Sequence, residues 1–269
     1  MSIHPNTVIH PDAVIGDNVT IGPFSYIEEN VEIGDNTWVG PNVSIMNGAR
    51  IGKNCQVHPG AVIAGIPQDL KFVGEVTTAE IGDHTIIREG VTVNRGTSSK
   101  GRTVIGRNCL LMAYAHVGHD CAIGNSVIIG NSTGVAGEVI IDDYAIISGL
   151  CGIHQFSTIG AHSFISGLSK VQKDVPPYVK VARDPISYAG LNVVGLKRRG
   201  FTSELISTIH DIYRIIFQSG KITSQALNYI EENVEAGPER DEIIRFVRAS
   251  ERGIIKGYKG NGKNGEEVD

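Results

Sequence analysis

An aliphatic residue returns at every sixth position over much of the chain. The longest unbroken run of these positions comprises Ile105, Leu111, Val117, Ile123, Ile129, Val135, Ile141, Ile147, Ile153, Ile159, Ile165 and Val171. Four places after each of them the residue is usually small or β-branched, as at Cys109 and Ala115. Amphipathic helices repeat at about 3.6 residues and half-buried strands at 2, so neither explains this spacing. A strict short period indicates an internal repeat.

The hexapeptide period predicts a parallel β-helix, with one short strand and one corner in each hexad. The aliphatic residue points inward and packs on its counterpart in the next coil, and the small residue also faces inward. Gly, Asn or Asp between them tolerates the backbone of a tight turn. Three hexads, or 18 residues, close one coil, and neighbouring coils stack about 4.8 Å apart.

Residues 18 apart should therefore lie one above another. His119, Gly137 and the pair His154–Gln155 follow three aliphatic residues that share one face of the coil: Val117, Val135 and Ile153. The sequence thus predicts a histidine, a glycine and a His-Gln pair stacked along one edge, which is where we expect chemistry.

Two segments, 64–80 and 94–104, interrupt the hexads that begin at Ile3. Counting hexads in threes predicts that both leave the coil after the edge that carries His119. Loops on a rigid scaffold often carry function. The first contains Gln68, Asp69 and Lys71, which could grip a polar ligand, although a solvated surface loop is an equally good interpretation.

The repeat ends after Val171. Three prolines predict an extended segment, followed by a basic cluster of Lys197, Arg198 and Arg199 that is either solvated or a phosphate clamp. Apolar residues then recur at helical spacing, which predicts a helix capped by Ser203, a second over 224–234 and a third opening at Pro238. The expected fold class is all-β plus α: a β-helix over 1–190, a helical domain over 191–256 and a disordered tail over 257–269.

Composition and charge exclude several classes of function. The 269-residue chain has a net charge of −5, which argues against nucleic acid as a partner. Neither a signal peptide nor a run of apolar residues long enough to span a membrane is visible, so we expect a cytoplasmic protein. All four cysteines (Cys55, Cys109, Cys121 and Cys151) occupy the small inward position. We interpret them as packing residues, and we expect no metal site.

His119 is followed by Asp120, and His116 lies three residues earlier. A histidine is a natural general base near neutral pH, and a neighbouring carboxylate can fix its tautomer. Gly137, one coil away, could present its backbone N–H to a developing oxyanion, because no side chain blocks the approach.

Several motifs resemble those of the UDP-N-acetylglucosamine acyltransferases of lipid A biosynthesis. Besides the hexads, these are Gln-Asp-Leu-Lys, Ala-His-Val-Gly-His-Asp-Cys, Ile-His-Gln-Phe, Asp-Val-Pro-Pro-Tyr and Gly-Leu-Lys-Arg-Arg-Gly-Phe, the last followed by helices. The resemblance covers the chain to about residue 255. The Gly-Leu-Lys-Arg-Arg-Gly-Phe segment and the His-Gln-Phe hexad are more specific than the hexads, which many acyltransferases share.

The resemblance implies a homotrimer of left-handed β-helices with active sites between subunits. It implies transfer of a 3-hydroxyacyl group from acyl carrier protein to the glucosamine 3-position, with no cofactor beyond the carrier's phosphopantetheine. His119 matches the general base, Asp120 the residue that orients it, and Gly137 the oxyanion donor. Positions that match substrate-binding residues are Asp69, Lys71, His116, His154, Gln155, Asn192, Arg198 and Arg199, and Gln68 lies in the same loop. The helical tail implies a docking surface for the acidic carrier protein.

Three positions bear on specificity. Glu138 stands where well-known members have His, and Val194 where some have Glu, which leaves binding detail and pH dependence open. Gly167 matches the position that limits acyl length. A glycine there leaves room for a long chain, so we expect an acyl group nearer about fourteen carbons than ten.

Alternatives remain at this point. Some relatives use a 3-amino sugar, and the amine-directed enzyme later in the same pathway shares the fold but carries an extra N-terminal domain. A β-helix zinc hydratase would need three converging histidines, for which His116, His119 and His154 are the candidates. A non-catalytic β-helix would leave the two loops on one edge and the basic cluster unexplained.

Overall fold

The computed structural model describes residues 2–257, which form a left-handed parallel β-helix followed by a group of helices. Each coil contributes one short strand to each of three sheets, of 12, 9 and 8 strands. In uninterrupted coils the paired residues are 18 apart, as in the parallel pairs Val117–Val135 and Val135–Ile153. The predicted β-helix and its period are confirmed.

The first sheet, in spatial order, contains β1 (Ser2–Ile3), β4 (Thr20–Ile21), β7 (Trp38–Val39), β10 (Gln56–Val57), β13 (Ile86–Ile87), β16 (Leu110–Leu111), β19 (Ile128–Ile129), β22 (Ile146–Ile147), β25 (Phe164–Ile165), β27 (Val179–Ala182), β28 (Ser187–Leu191) and β29 (Lys256–Gly257). The second contains β2 (Val8–Ile9), β5 (Tyr26–Ile27), β8 (Ser44–Ile45), β11 (Val62–Gly65), β14 (Thr92–Asn94), β17 (His116–Val117), β20 (Gly134–Val135), β23 (Gly152–Ile153) and β26 (Lys170–Val171). The third contains β3 (Val14–Ile15), β6 (Glu32–Ile33), β9 (Ala49–Ile51), β12 (Thr78–Ile81), β15 (Arg102–Ile105), β18 (Ala122–Ile123), β21 (Ile140–Ile141) and β24 (Thr158–Ile159).

The core of the coil is a stack of the repeating aliphatic residues. From Ile105 to Val171 each residue that begins a hexad is at most 3% exposed. The small inward residues near the corners are buried as well, and the polar atoms of several of them bond to the next coil, although the hydroxyls of Ser157 and Ser163 have no partner within residues 2–257. Thr133 Oγ1 donates to the Ser148 carbonyl at 2.9 Å, and Cys121 Sγ donates to the Ala136 carbonyl at 3.1 Å. The inward slot therefore accepts Thr and Cys as well as Ala and Val.

The corners differ in part from the expectation of Gly, Asn or Asp. Early corners do use asparagine with a left-handed backbone, as at Asn18 and Asn36. At other corners the same position is held by bulky residues, among them Tyr114 (φ 62°), Leu150 (φ 61°) and Leu168 (φ 62°). The left-handed region costs such a residue ~1–3 kcal/mol, so the surrounding coil imposes it.

Three corner columns run the length of the coil. We name them the first edge (between the first and second sheets, with Leu150 and Leu168), the second edge (between the second and third sheets, with His119 and Gly137) and the third edge (between the third and first sheets, with His162). Both interruptions leave at the second edge, as predicted. The first loop joins β11 to β12 and the second joins β14 to β15. The parallel pairs Ile63–Val93 and Val93–Val117 show that the strands of the second sheet stay in register on either side of each loop.

The helices are α1 (Val193–Arg198), α2 (Ser203–Gln218), α3 (Thr223–Asn233) and α4 (Pro238–Ala249). The short helix α1 was not expected, because that segment was predicted to be extended. The predicted cap of α2 was also wrong by one residue. The side chain of Thr202 accepts a hydrogen bond from Leu205 N at 3.2 Å, and Ser203 is already helical.

The C-terminal helices pack on the top of the coil. The fully buried Tyr213 of α2 donates its hydroxyl to the Pro177 carbonyl at 2.7 Å. None of the helices in residues 2–257 has the length and apolar character to cross a bilayer. The tail predicted to be disordered, 257–269, lies outside the described residues except for Gly257, which pairs with Tyr188 in the first sheet.

Candidate active site

His119 and Asp120 form a buried pair at the second edge, directly after β17. Nδ1 of His119 lies 2.8 Å from Oδ2 of Asp120. The side chain of Asp120 is completely buried and that of His119 is 11% exposed. A carboxylate only accepts hydrogen bonds, so Nδ1 carries the proton and Nε2 is the basic nitrogen. Such a pair can act as a general base.

Gly137 lies against the imidazole of His119, one coil further along. At the equivalent corner position of the third edge, the backbone N–H of Asn125 is bound by an Asp143 carboxylate from the next coil at 2.7 Å. In the column that contains Gly137, the next coil has Gln155 in place of such an aspartate. Within residues 2–257 the Gly137 N–H has no hydrogen-bond acceptor. A free N–H thus lies beside the basic nitrogen, where an oxyanion could accept it.

A cavity of about 500 Å³ opens beside this pair. It brings together most of the residues that the sequence placed on this edge. The residues that line it are Gln68, Asn94, His116, Gly118, His119, Gly134, Val135, Ala136, Gly137, Gly152, Ile153, His154, Gln155, Lys170, Val171 and Gln172. The predicted stack of His119, Gly137 and Gln155 is therefore confirmed as a structural neighbourhood.

The depth of the cavity comes from missing side chains. On the outer face of the second sheet, His116 pairs with Gly134, Gly134 with Gly152, and Gly152 with Lys170. The two glycines leave a hollow between a histidine and a lysine. Nδ1 of His116 lies 2.7 Å from Thr92 Oγ1, and burial lowers the pKa of His116, so this ring is neutral at pH 7.

The first loop supplies Asp69 to the site. Asp69 Oδ2 lies 3.9 Å from Nε2 of His119. Its other oxygen accepts the backbone N–H of Lys71 at 2.9 Å, and this turn fixes the carboxylate. The Lys71 side chain is exposed and does not line the cavity.

Four residues that the sequence assigned to substrate are elsewhere in the chain. Asn192 caps α1 and donates to the His162 carbonyl at 2.9 Å. Arg199 lies over the Tyr144 ring and donates to the Tyr144 carbonyl at 3.0 Å, also at the third edge. Arg198 is exposed on α1, and Gly167 belongs to the first edge. One chain alone does not bring these four to the His119 cavity.

Sequence reasoning missed Asn94, which closes β14 at the start of the second loop. It is 5% exposed, its Nδ2 donates to the Ile66 carbonyl at 3.1 Å, and its Oδ1 has no partner within residues 2–257. This oxygen can accept a hydrogen bond from a bound ligand. Asn94 follows Val93, which is in phase with Val117, and that phase could have identified it.

A larger groove, about 690 Å³, crosses the outer face of the third sheet. Two of its charged residues, Arg50 and Glu32, pair with each other at 3.1 Å. It contains neither a histidine nor a carboxylate–base pair, so it offers no comparable chemistry. Across residues 2–257 no group of three or more His, Cys, Asp or Glu side chains is placed to hold a metal ion.

Comparisons with known proteins agree with this geometry. A family model described as UDP-N-acetylglucosamine O-acyltransferase, domain 2, matches residues 174–255, and the bacterial transferase hexapeptide model matches residues 2–29, 30–65 and 102–137. An acyl-[acyl-carrier-protein]–UDP-N-acetylglucosamine O-acyltransferase from Aliivibrio fischeri is 48% identical over 94% of this chain and 97% of its own length. The chain belongs to the UDP-N-acetylglucosamine O-acyltransferase family. It is therefore an acyltransferase.

Solved structures give the same family. The UDP-N-acetylglucosamine acyltransferase from Bacteroides fragilis superposes with a TM-score of 0.93 at 55% identity, covering 94% of this chain and 99% of that one. The enzyme from Francisella novicida gives a TM-score of 0.92 at 40% identity, covering 96% and 95%. The resemblance seen in the sequence motifs is thus confirmed over nearly the whole chain.

Proposed function

We propose that this protein transfers a (3R)-3-hydroxyacyl group from acyl carrier protein to the glucosamine 3-hydroxyl of UDP-N-acetylglucosamine, the first step of lipid A biosynthesis, in the cytoplasm. The observation that carries the proposal is the buried His119–Asp120 pair with the free N–H of Gly137 beside it. Relatives at 45–48% identity bear the name of this activity.

The geometry supports a general-base mechanism. Nε2 of His119 removes the proton of the sugar 3-hydroxyl, and the oxygen attacks the thioester carbonyl of the acyl donor. The Gly137 N–H donates to the oxyanion that forms. When the intermediate collapses, the carbon–sulfur bond breaks and the imidazolium returns the proton to the leaving phosphopantetheine thiolate. Asp120 stabilises the imidazolium throughout.

We assign the binding of sugar nucleotide and acyl group to cavity residues and their neighbours: Gln68, Asp69, Lys71, His116, His154 and Gln155. Asn192, Arg198, Arg199 and Gly167 join the site from a second copy of the chain in a homotrimer. Two observations support this assembly. These residues lie on other edges of the same chain, and the first edge exposes Leu150 and Leu168 in a strained backbone. An exposed apolar column of this kind is typical of an interface.

Gly167 favours a long acyl chain. Gly167 is exposed, and a Cβ built there would lie 3.3 Å from the Gly149 carbonyl oxygen, so a larger side chain would occupy space on the outer side of this edge. We expect a preferred donor nearer about fourteen carbons than ten. A series of carrier proteins with acyl chains of increasing length tests this, and equal or faster turnover of the short donor would contradict it.

The deciding experiment is acyl transfer from a 3-hydroxyacyl carrier protein to UDP-N-acetylglucosamine, with the wild-type protein beside His119→Ala. We expect turnover by the wild type and a loss of at least ~100-fold in the variant. Turnover that survives the substitution would keep the activity and reject His119 as base. Turnover only with the 3-amino analogue of the sugar nucleotide would reassign the acceptor, and activity with neither would reject the proposal.

A further inference from the structure

Thr97, in the second loop, contacts the carboxylate of Asp120 with both its backbone and its side chain. We infer that Thr97 is a positioning residue of the catalytic centre, which holds the ionised Asp120 carboxylate against Nδ1 of His119 and sets the basicity of that histidine. The inference rests on the proposed role of His119 as general base. It also makes the second loop part of the acid–base machinery.

The contacts are short and specific. Asp120 Oδ2 accepts from Thr97 Oγ1 at 2.6 Å, and it is the same oxygen that His119 Nδ1 contacts at 2.8 Å. Asp120 Oδ1 accepts the Thr97 N–H at 3.0 Å and the Lys100 N–H at 3.2 Å. Four groups thus donate to a carboxylate that solvent does not reach. Such bonds to a buried charge are about twice as strong as neutral ones.

The direction of the Thr97 hydroxyl proton follows from its other contact. The Ser99 N–H donates to Thr97 Oγ1 at 3.1 Å, which occupies the oxygen as an acceptor. The hydroxyl hydrogen is then free to point at Asp120 Oδ2. Donation from Thr97 withdraws negative charge from the oxygen that faces His119. The Thr97 hydroxyl therefore reduces the extent to which Asp120 stabilises the protonated ring of His119.

The loop that carries Thr97 is held in place from two sides. Thr77 Oγ1 donates to the Gly96 carbonyl at 2.6 Å, and the Ser98 N–H donates to Glu75 Oε1 at 3.1 Å. Both partners, Thr77 and Glu75, belong to the first loop. The Asp120 N–H in turn donates to Thr103 Oγ1 at 2.8 Å. The two loops and the coil corner therefore form one hydrogen-bonded unit around the carboxylate.

Other titratable groups also surround His119, and they remain unchanged when Thr97 is substituted. The carboxylates are Asp69 from the first loop and Glu138 from the next coil, whose N–H donates to the His119 carbonyl at 2.8 Å. The bases are His116 on β17, His154 on the coil after Gly137, Lys170 across the cavity and Lys100 on the second loop. A shift in the His119 titration on removal of one uncharged hydroxyl would thus report the Thr97 contact.

The test compares Thr97→Val, which keeps the shape and loses the hydroxyl, with Thr97→Ser, which keeps the hydroxyl. With valine, Asp120 presents more charge to His119, the pKa of His119 rises, and the acid limb of the kcat/KM profile moves to higher pH. We expect kcat to fall by up to about 100-fold with KM little changed, because a carboxylate that is less well held orients the imidazole less well. Thr97→Ser, which keeps the hydroxyl, should have the wild-type kcat and the wild-type pH profile of kcat/KM.

A measurement without substrate separates this inference from the proposed reaction. The pKa of His119 can be followed by NMR of the imidazole in the free protein, and we expect it to be higher in Thr97→Val than in the wild type or Thr97→Ser. Thermal unfolding checks the fold, and Thr97→Ala serves as the smaller variant if valine does not fold. An unshifted His119 titration in a folded variant, or a serine variant as impaired as valine, would overturn the role of Thr97.

Discussion

A methyl group built on Gly137 would lie 2.4 Å from Nε2 of His119. Real Cβ atoms do not approach another atom this closely, so a side chain at residue 137 would displace the imidazole. The backbone of Gly137 is not left-handed, and the position therefore needs glycine for space alone. The glycine allows a basic nitrogen and a free N–H to lie side by side.

Gly137→Ala should therefore lower acyl transfer by at least ~100-fold, because the ring must move away from both Asp120 and the substrate. A double-mutant cycle with His119→Ala provides the control. In the absence of the ring the added methyl meets no imidazole, so it should lower the melting temperature less than it does in the wild type. A methyl that is equally costly in both backgrounds would contradict the contact.

The ring of His162 is stacked between Tyr144 and Tyr178, and its Nδ1 has no partner within residues 2–257. Burial, with the nearby Arg199 guanidinium, lowers the pKa of His162 to about 4. The unfolded histidine titrates near 6.5. Between pH 4 and pH 6.5 this histidine binds a proton in the unfolded state but not in the folded state. The folded protein therefore loses stability as the pH falls from 6.5 towards 4.

His162→Phe should remove that loss and keep the stack. We expect the free energy of unfolding of the variant, relative to that of the wild type, to be higher at pH 5 than at pH 8 by on the order of 1 kcal/mol. The difference stays this small because solvent screens the partly exposed ring. Denaturant titrations of both proteins at the two pH values measure it. An equal stability difference at pH 5 and pH 8 would show that His162 titrates normally.

The four cysteines are buried and unpaired. Burial raises the pKa of the Cys109 thiol to about 11 and that of Cys121 to about 12. Because the thiolate is the reactive form, none should react with a thiol reagent at pH 8 in the folded protein. All four should react once the protein is unfolded in urea. Rapid labelling of the native protein would contradict their placement in the inward column.

Leu168 is 80% exposed in one chain, although it adopts a left-handed backbone that favours asparagine. If the first edge is covered by a second copy, each leucine buried there contributes roughly 1.5–3 kcal/mol to assembly. Leu168→Asn should then reduce the trimer fraction measured by light scattering at low concentration. Ser132→Asn, in the same column with the same backbone, is the matched control and should leave the trimer intact. A wild-type protein that is monomeric at all concentrations would reject the assembly.

The repeat allowed most of the fold to be predicted. A strict period of six places Val117, Val135 and Ile153 in one column with no knowledge of side-chain packing, and the stack of His119 over Gly137 follows from counting. The edge from which both loops leave was predictable for the same reason.

The remaining features depend on contacts that have no period. Helix α1 begins where the Asn192 side chain accepts the Gly195 N–H, in a segment whose prolines favour extended chain. The Thr97–Asp120 contact joins residues 23 apart through an irregular loop. The position of Arg199 depends on the path of the chain after the coil, which the hexads do not specify.

The spacing of paired residues in the second sheet shows how many residues the two loops add to the coil. The pairs Ile63–Val93 and Val93–Val117 are 30 and 24 residues apart, against 18 in a plain coil. The two loops therefore add twelve and six residues, both whole multiples of a hexad. Either loop could be lost or gained without shifting any strand beyond it. A change confined to either loop would therefore alter the surroundings of the His119–Asp120 pair and leave the strands beyond it in register.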